Sequence, residues 1–162
     1  MPSKHKNTWI FQTNPKRYNI LSALRDTKLD EKYWLVNRYK KEIGKGDIAL
    51  IWMSGKEAGI YAVSEITSDP LIIYANSADE KYWVNEEDKG KKQLRVKIKI
   101  KNKFLGNPIF RRDLKNIEGL KDLSILKFSQ GTNFPVSNME WRTIKGLMNQ
   151  KSDEGFWGWT YN

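Results

Sequence analysis

Apolar positions recur along the chain in distinct rhythms. Ile48–Met53 (IALIWM) is a short apolar run with β-branched and aromatic members between turn residues, which predicts a buried strand. Ser54–Gly59 is a connection, and Ile60–Ile66 (IYAVSEI) returns as the partner strand of a hairpin. Gln93–Phe104 alternates instead: Leu94, Val96, Ile98 and Ile100 against Arg95, Lys97, Lys99, Lys101 and Lys103. A period of two predicts a strand with one face in the core and a row of cations on the other. Thr8–Thr13 (TWIFQT) predicts a first strand ended by Asn14-Pro15, and Asp30–Val36 leads into a second. Leu71–Tyr74 fits a short strand or a helix start.

Helical spacing appears three times. Asn19–Leu29 places Ile20, Leu21 and Leu24 on one face, with Asn19 as the N-cap. Arg111–Leu120 turns Leu114 and Ile117 inward and has Gly119 near its end. Ser137 with Glu140 three residues on forms a capping box, so a helix runs over Ser137–Met148, burying Trp141 or Met139 with Ile144, Leu147 and Met148. Between these lie Ile43–Asp47, a turn in which Gly44 and Gly46 are free to take positive φ, and the brief apolar segment Leu123–Phe128. Asn76–Lys92 reads as a long polar loop carrying Trp83, and Ser129–Val136 as a loop rich in hydrogen-bonding side chains. Gly155–Tyr161 is an aromatic tail that adds a strand or covers a groove. No internal repeat breaks the chain, so it reads as one domain over 1–162 with its core at about 8–148, large enough to bury a core unaided.

Composition narrows the chemistry. With no cysteine, thiolate metal sites and disulfides are ruled out; the one histidine is His5 in a basic N-terminus, so neither a zinc site nor a histidine-based triad is expected, and no cofactor is implied. No apolar run reaches the length of a membrane span and Met1–Thr8 lacks the apolar middle of a signal peptide, so the expectation is a soluble, cytoplasmic chain with no membrane partner. Twenty-nine Lys and Arg against 19 Asp and Glu give a net charge of +10, which favours a polyanionic partner. Gly44-Lys45-Gly46 lacks the spacing of a nucleotide-binding loop, and Asp47, Glu57 and Glu65 form no recognisable catalytic pair. A non-catalytic role is expected.

Seven Trp, seven Tyr and six Phe exceed what a core of this size requires. Trp34 stands where a strand meets the basic loop Asn37–Lys41, and Trp52 just before Ser54-Gly55; both positions suit a wall for a planar ligand or a plug of a barrel. Trp83, amid charges, either folds back or awaits a ligand. The cations of Gln93–Phe104 are a solvated edge or a phosphate-tracking stripe, and charge sign does not separate the two.

In this order, TWIFQTNP, YWLVNRYKKEIGKGD, IALIWMSGKEAGIYAVSEI, the basic strand and FSQGTNFPVSNMEWRTIKGL resemble the EVE domain, a PUA-like family close in architecture to the YTH domain. The resemblance runs from Thr8 to Leu147. It implies an α+β fold, a small closed mixed β-barrel with helices packed around it, that reads a modified base in DNA or RNA. By likeness to the YTH cage, Trp34 and Trp83 would be walls and Trp52 the floor. Asn14, Asn37, Ser54 and Asn133 are then candidates for the base edge, since amides and hydroxyls both donate and accept; Asn14 before Pro15 also suits a turn role. Arg38, Lys40 and Lys41, with Lys97 and Lys99 on the stripe, would take phosphates. The bases that fit are 5-methylcytosine and N6-methyladenine. EVE-type domains occur in modification-dependent restriction systems, which implies fusion to, or work with, a nucleotide-hydrolysing subunit. The alternatives are a PUA-like RNA-binding module, or a nucleic-acid-processing enzyme, without preference for a modified base.

Overall fold

A computed structural model describes residues 6–74, 77–84 and 92–151. His5 and the aromatic tail at 155–161 lie outside the described residues, as does part of the 76–92 loop. In chain order the elements are β1 (Thr8–Thr13), α1 (Ile20–Arg25), β2 (Glu31–Leu35), β3 (Ile48–Met53), β4 (Gly59–Ile66), β5 (Leu71–Tyr74), β6 (Lys92–Lys103), β7 (Ile109–Phe110), α2 (Arg111–Leu114), α3 (Ser124–Lys127), β8 (Asn133–Val136) and α4 (Asn138–Lys151). Short 3-10 turns occupy Thr27–Leu29 and Ser77–Tyr82. The strands form one mixed sheet in the order β2-β6-β4-β3-β1-β8, with β5 added to β6 and β7 to β4. Only β1 and β3 run parallel among the described pairs; the connection between them carries α1 and β2.

The central strands are apolar because both of their faces are covered. Along β3 every residue is buried, and alternate side chains go to opposite sides. Ala49, Ile51 and Met53 join Trp9, Phe11, Trp34 and the helix residues Ile20, Ala23 and Leu24. Ile48, Leu50 and Trp52 join Ile10, Phe134 and the residues of α4, Trp141, Ile144 and Met148. The hydrophobic pattern therefore builds a sheet between two cores, and parity sorts the tryptophans. β6 is half buried as its alternation requires, with Val96, Ile98 and Ile100 inward. Its outer lysines meet acids on neighbouring strands: Lys97 lies 3.3 Å from Glu31, and Lys101 3.6 Å from Glu65.

Local signals fix the element ends. Asn19 caps α1 by accepting from the Ser22 N–H at 3.2 Å. Ser137 and Glu140 form the reciprocal capping box, and α4 buries Trp141 while Met139 stays exposed. In the turn before β3, Gly46 takes φ 96°. Asp47, fully buried there, accepts from the Trp9 indole at 2.9 Å, Gly44 N–H at 3.0 Å and Asn7 N–H at 3.1 Å. Asp47 is thus a knot of the fold. Gly59 admits β7 beside β4, since a Cβ there would sit 2.3 Å from the Ile109 carbonyl oxygen.

Two segments differ from their sequence pattern, and a third settles between two readings. Asn133–Val136 is the edge strand β8, paired antiparallel with β1, although its composition is that of a loop. Pro135 is tolerated because an edge strand has one unpaired side. Arg111–Leu120 is helical only to Leu114, and the rest continues as turns into Gly119 at φ 91°. Leu71–Tyr74 resolves to a strand.

The sheet curls until its end strands β2 and β8 approach, giving the expected small mixed barrel with helices around it. No backbone ladder joins the two strands among the described residues. Instead the Asn133 amide, 1% exposed, donates to the Leu35 carbonyl at 3.0 Å and accepts from the Asn37 N–H at 3.0 Å. One side chain closes the seam. Asn133→Ala would remove both bonds from a part-buried carbonyl and N–H, at about 0.5–1.5 kcal/mol for each. Urea denaturation should show a loss of that order, larger than for the exposed Asn116→Ala.

Candidate nucleic-acid interface

Beside this seam opens a cavity of about 470 Å³. Its walls come from the end of β1 and the following turn (Gln12–Asn14, Arg17, Tyr18), from Lys32–Leu35 of β2, and from Gln93 and Arg95 of β6. Ser54 after β3, Asp79 and Trp83 from the loop after β5, and Ser129, Gly131 and Thr132 before β8 complete it. The loop before β8 is held by Gln12, whose amide donates to the carbonyls of Ser129 at 2.9 Å and Gly131 at 2.7 Å. Asn37 reaches the same loop through Thr132 Oγ1 at 3.4 Å.

Trp34 belongs to the wall and is held by stacking on Phe11, with ring centroids 6.2 Å apart and planes 22° from parallel. Trp83 is not a solitary ring in a loop. It bridges Tyr18 as a strand residue, its ring lies 4.7 Å from the Tyr18 ring, and Asn19 N–H donates to the preceding carbonyl of Tyr82 at 2.7 Å. This pairing draws the 3-10 turn of Ser77–Tyr82 against α1 and brings Asp79 to the cavity.

The structure gathers Trp34, Trp83, Asn14 and Ser54 around the cavity. Asn14 also fills its turn role, its side-chain oxygen accepting from Lys16 N–H at 2.9 Å. Trp52 is placed elsewhere: 1% exposed, it packs in the α4-side core because it shares the parity of Ile48 and Leu50, opposite to that of Ile51. Asn37 and Asn133 stand at the seam behind the wall and do not line the cavity. Arg38, Lys40 and Lys41 are exposed on the loop that leaves β2 beside Thr132. Lys97 and Lys99, farther along β6 than the lining residues Gln93 and Arg95, do not line the cavity, Lys99 standing in register with Glu31 on one side and Glu65 on the other.

Among the polar wall residues that sequence did not mark as site residues are Tyr18, Lys32, Asp79 and Arg95. Arg95 looks like one more cation of an alternating row. Its strand pairs with Leu35 of β2 and Leu71 of β5, and its side chain is buried in the cavity wall, where it donates to Gln93 and lies near Asp79. Lys32 spends its ammonium on the carbonyls of Leu29 and Ala23, closing the ends of α1 and of the turn after it. The Tyr18 hydroxyl donates to Asp79 Oδ2 at 2.8 Å. Burial pushes the Asp79 carboxyl above its usual range, partly offset by the Tyr18 hydrogen bond and the nearby Lys32. Burial also holds the Tyr18 hydroxyl protonated well beyond the ordinary tyrosine range, with the Asp79 charge adding to it. Three atoms of the wall, Asp79 Oδ1, Arg95 Nε and Trp83 Nε1, are buried without a hydrogen-bond partner among the described residues. Groups of this kind cost about 1–3 kcal/mol each when unsatisfied, and more when charged. Among the described residues no cluster of His, Asp or Glu could hold a metal ion, and no helix is long and apolar enough to cross a membrane.

A family model described as "EVE domain" matches residues 7–147. Solved structures share the fold at low identity. A hypothetical protein from Leishmania major is 18% identical with a TM-score of 0.65, covering 92% of this chain and 98% of its own. Human THYN1 protein, in complex with 5-methylcytosine-containing DNA, is 16% identical with a TM-score of 0.63, covering 88% and 97%. A Pseudomonas putida protein is 22% identical with a TM-score of 0.61, covering 86% and 98%. Comparison with curated proteins gave no match.

The buried lysine gives this region a pH signature. Burial, and after it the neighbouring Lys103, lowers Lys32 from 10.5 to about 8. Between those values the unfolded chain binds the Lys32 proton and the folded chain does not, so stability rises with pH across the window. Below about 8 both states hold the proton and the contribution is flat. Urea denaturation from pH 7.5 to 10.5 should show unfolding free energy climbing in the wild type relative to Lys32→Met.

Proposed function

The chain belongs to the EVE domain family, and from that premise we propose that it is a non-catalytic reader of modified nucleic acid. It takes one flipped base into the cavity beside Trp34. The observation that carries this reading is the cavity itself, aromatic on one side and lined with unpartnered polar groups on the other, within the ~300–1,000 Å³ of small-ligand sites. The likeness to THYN1, whose structure contains 5-methylcytosine DNA, supports a DNA ligand. 5-Methylcytosine is therefore the first base to test, with N6-methyladenine next.

The energetics are consistent. Flipping a base costs a few kcal/mol of lost stacking, and stacking on an aromatic side chain returns about 1–3 kcal/mol. A methyl group in an apolar slot adds about 1–3 kcal/mol of discrimination. Trp34 supplies the ring because Phe11 and the β2–β6 ladder hold it in place before a base arrives. Trp83 and Tyr18, in ring contact with each other, add further aromatic lining. Asn14 and Ser54 stand where the β1 and β3 ends meet the mouth. Arg38, Lys40 and Lys41 take the flanking phosphates from the loop beside Thr132, which adds affinity without reading sequence. Lys97 and Lys99 are a more distant electrostatic surface, since Glu31 and Glu65 already answer part of their charge. In a restriction system the chain would deliver this recognition to a nucleotide-hydrolysing partner in the cytoplasm.

The test is titration of matched DNA and RNA oligonucleotides, unmodified or carrying one modified base, at two salt concentrations. A preference of tenfold or more for one modified member, lost in Trp34→Ala while weak salt-sensitive binding persists, is the expected result. Equal, steeply salt-dependent binding to all would leave a general basic binder with Trp34 as core packing. In the same assay Arg38→Glu with Lys40→Glu and Lys41→Glu should weaken every oligonucleotide alike and flatten the salt slope. Lys97→Glu with Lys99→Glu should do so less.

A further inference from the structure

The three unpartnered atoms of the wall deepen the reader assignment, on which this inference rests, by specifying the edge of the base. Asp79 and Arg95 are 7% and 4% exposed, and each has already used one atom to fix its orientation. Asp79 Oδ2 accepts the Tyr18 hydroxyl at 2.8 Å, and Arg95 Nη2 donates to Gln93 Oε1 at 2.9 Å. The buried wall atoms left without a partner are one acceptor, Asp79 Oδ1, and two donors, Arg95 Nε and Trp83 Nε1. The opposite charges of Asp79 and Arg95 attract each other, yet neither spends its free atom on the other. A ligand that completes the set brings one N–H and two acceptors, and carries no charge of its own.

We propose that Asp79 reads an exocyclic amine, accepting its N–H while Arg95 and Trp83 donate to the ring nitrogen or carbonyl beside it. The ligand is then a cytosine- or adenine-type base. Cytosine offers the 4-amine next to N3 and O2. Adenine offers the 6-amine between N1 and N7, and its N6-methyl form keeps one N–H. Guanine places two neighbouring N–H groups on its pairing edge, so one of them would face a donor. Thymine has its single N–H on the ring between two carbonyls, and a carboxylate approaching it meets oxygen lone pairs on both sides. The aromatic walls select a flat ring, and the polar wall selects among flat rings.

The experiment uses the intact chain and single-stranded oligonucleotides that differ only at the central base. The bases are 5-methylcytosine, cytosine, 5-methylpyrimidin-2-one and pyrimidin-2-one, with N6-methyladenine, purine, guanine and thymine. Removing the amine deletes a donor without adding bulk. Affinity should fall tenfold or more on that deletion, with guanine and thymine no better bound than the deleted analogues. Asp79→Ala should erase the amine dependence; if the alanine variant does not fold, Asp79→Asn, with its oxygen on the Tyr18 hydroxyl and an NH2 donor in place of Oδ1, should erase it likewise. Equal wild-type affinity with and without the amine overturns the inference, whatever the variants do. Methyl preference without amine dependence sinks this inference alone. Amine dependence without methyl preference supports it and sinks the modified-base reading instead.

Discussion

The amide of Asn133 is the contact on which the site depends. A sheet of this curvature brings β2 and β8 side by side without matching their ladders, so neither edge can satisfy the other through backbone alone. Asn133 spans the gap because an amide carries a donor and an acceptor a fixed distance apart. With it in place, β2 is held against β8, and the loops that follow both strands are pinned at the same end of the barrel. Those loops and the strand ends form the mouth of the cavity. A seam closed by side chain also leaves the backbone beside it apart, and the cavity opens there.

The sheet that curls is rigid because it is sandwiched. β1 and β3 bury both faces, which locks their register: a slip of one residue would exchange the two cores. Asp47 ties the start of β3 to β1 through the Trp9 indole and to its own turn through Gly44. From this frame β6 reaches across three neighbours, β2, β4 and β5. Arg95 and Gln93 enter the wall from the segment where β5 is added. The 3-10 turn carrying Asp79 is then fixed by the bridge between Tyr18 and Trp83.

Stability and binding pull in different directions within the cavity. Several buried polar groups among the described residues are satisfied: Ser64 Oγ donates to Ala49, Lys32 to the carbonyls ending α1 and its turn, and Asp47 accepts three N–H groups. The cavity wall keeps a carboxylate oxygen, a guanidinium N–H and an indole N–H unused. Preorganised groups of this kind cost folding free energy and lower the cost of binding, because they need not be ordered when a ligand arrives.

The sequence alone determined the elements and the family. Alternation in Gln93–Phe104, the continuous run of Ile48–Met53, the Asn19 cap and the Ser137–Glu140 box are local signals, and neighbouring residues suffice to express them. For Trp34 the strand end beside a basic loop suited a wall or a plug, and only the likeness to the YTH cage favoured the wall. Tertiary structure decided the rest. Trp52 and Trp34 look alike in sequence, but the parity of β3 sends Trp52 into the opposite core. β8 reads as a loop until β1 offers it an edge. Arg95 is one cation among many until the fold sets it in the cavity wall near Asp79, and Asp79 is an ordinary acid until Trp83 bridges Tyr18. Each of these depends on partners far away in the chain, and burial is a property of such partners rather than of the residue itself.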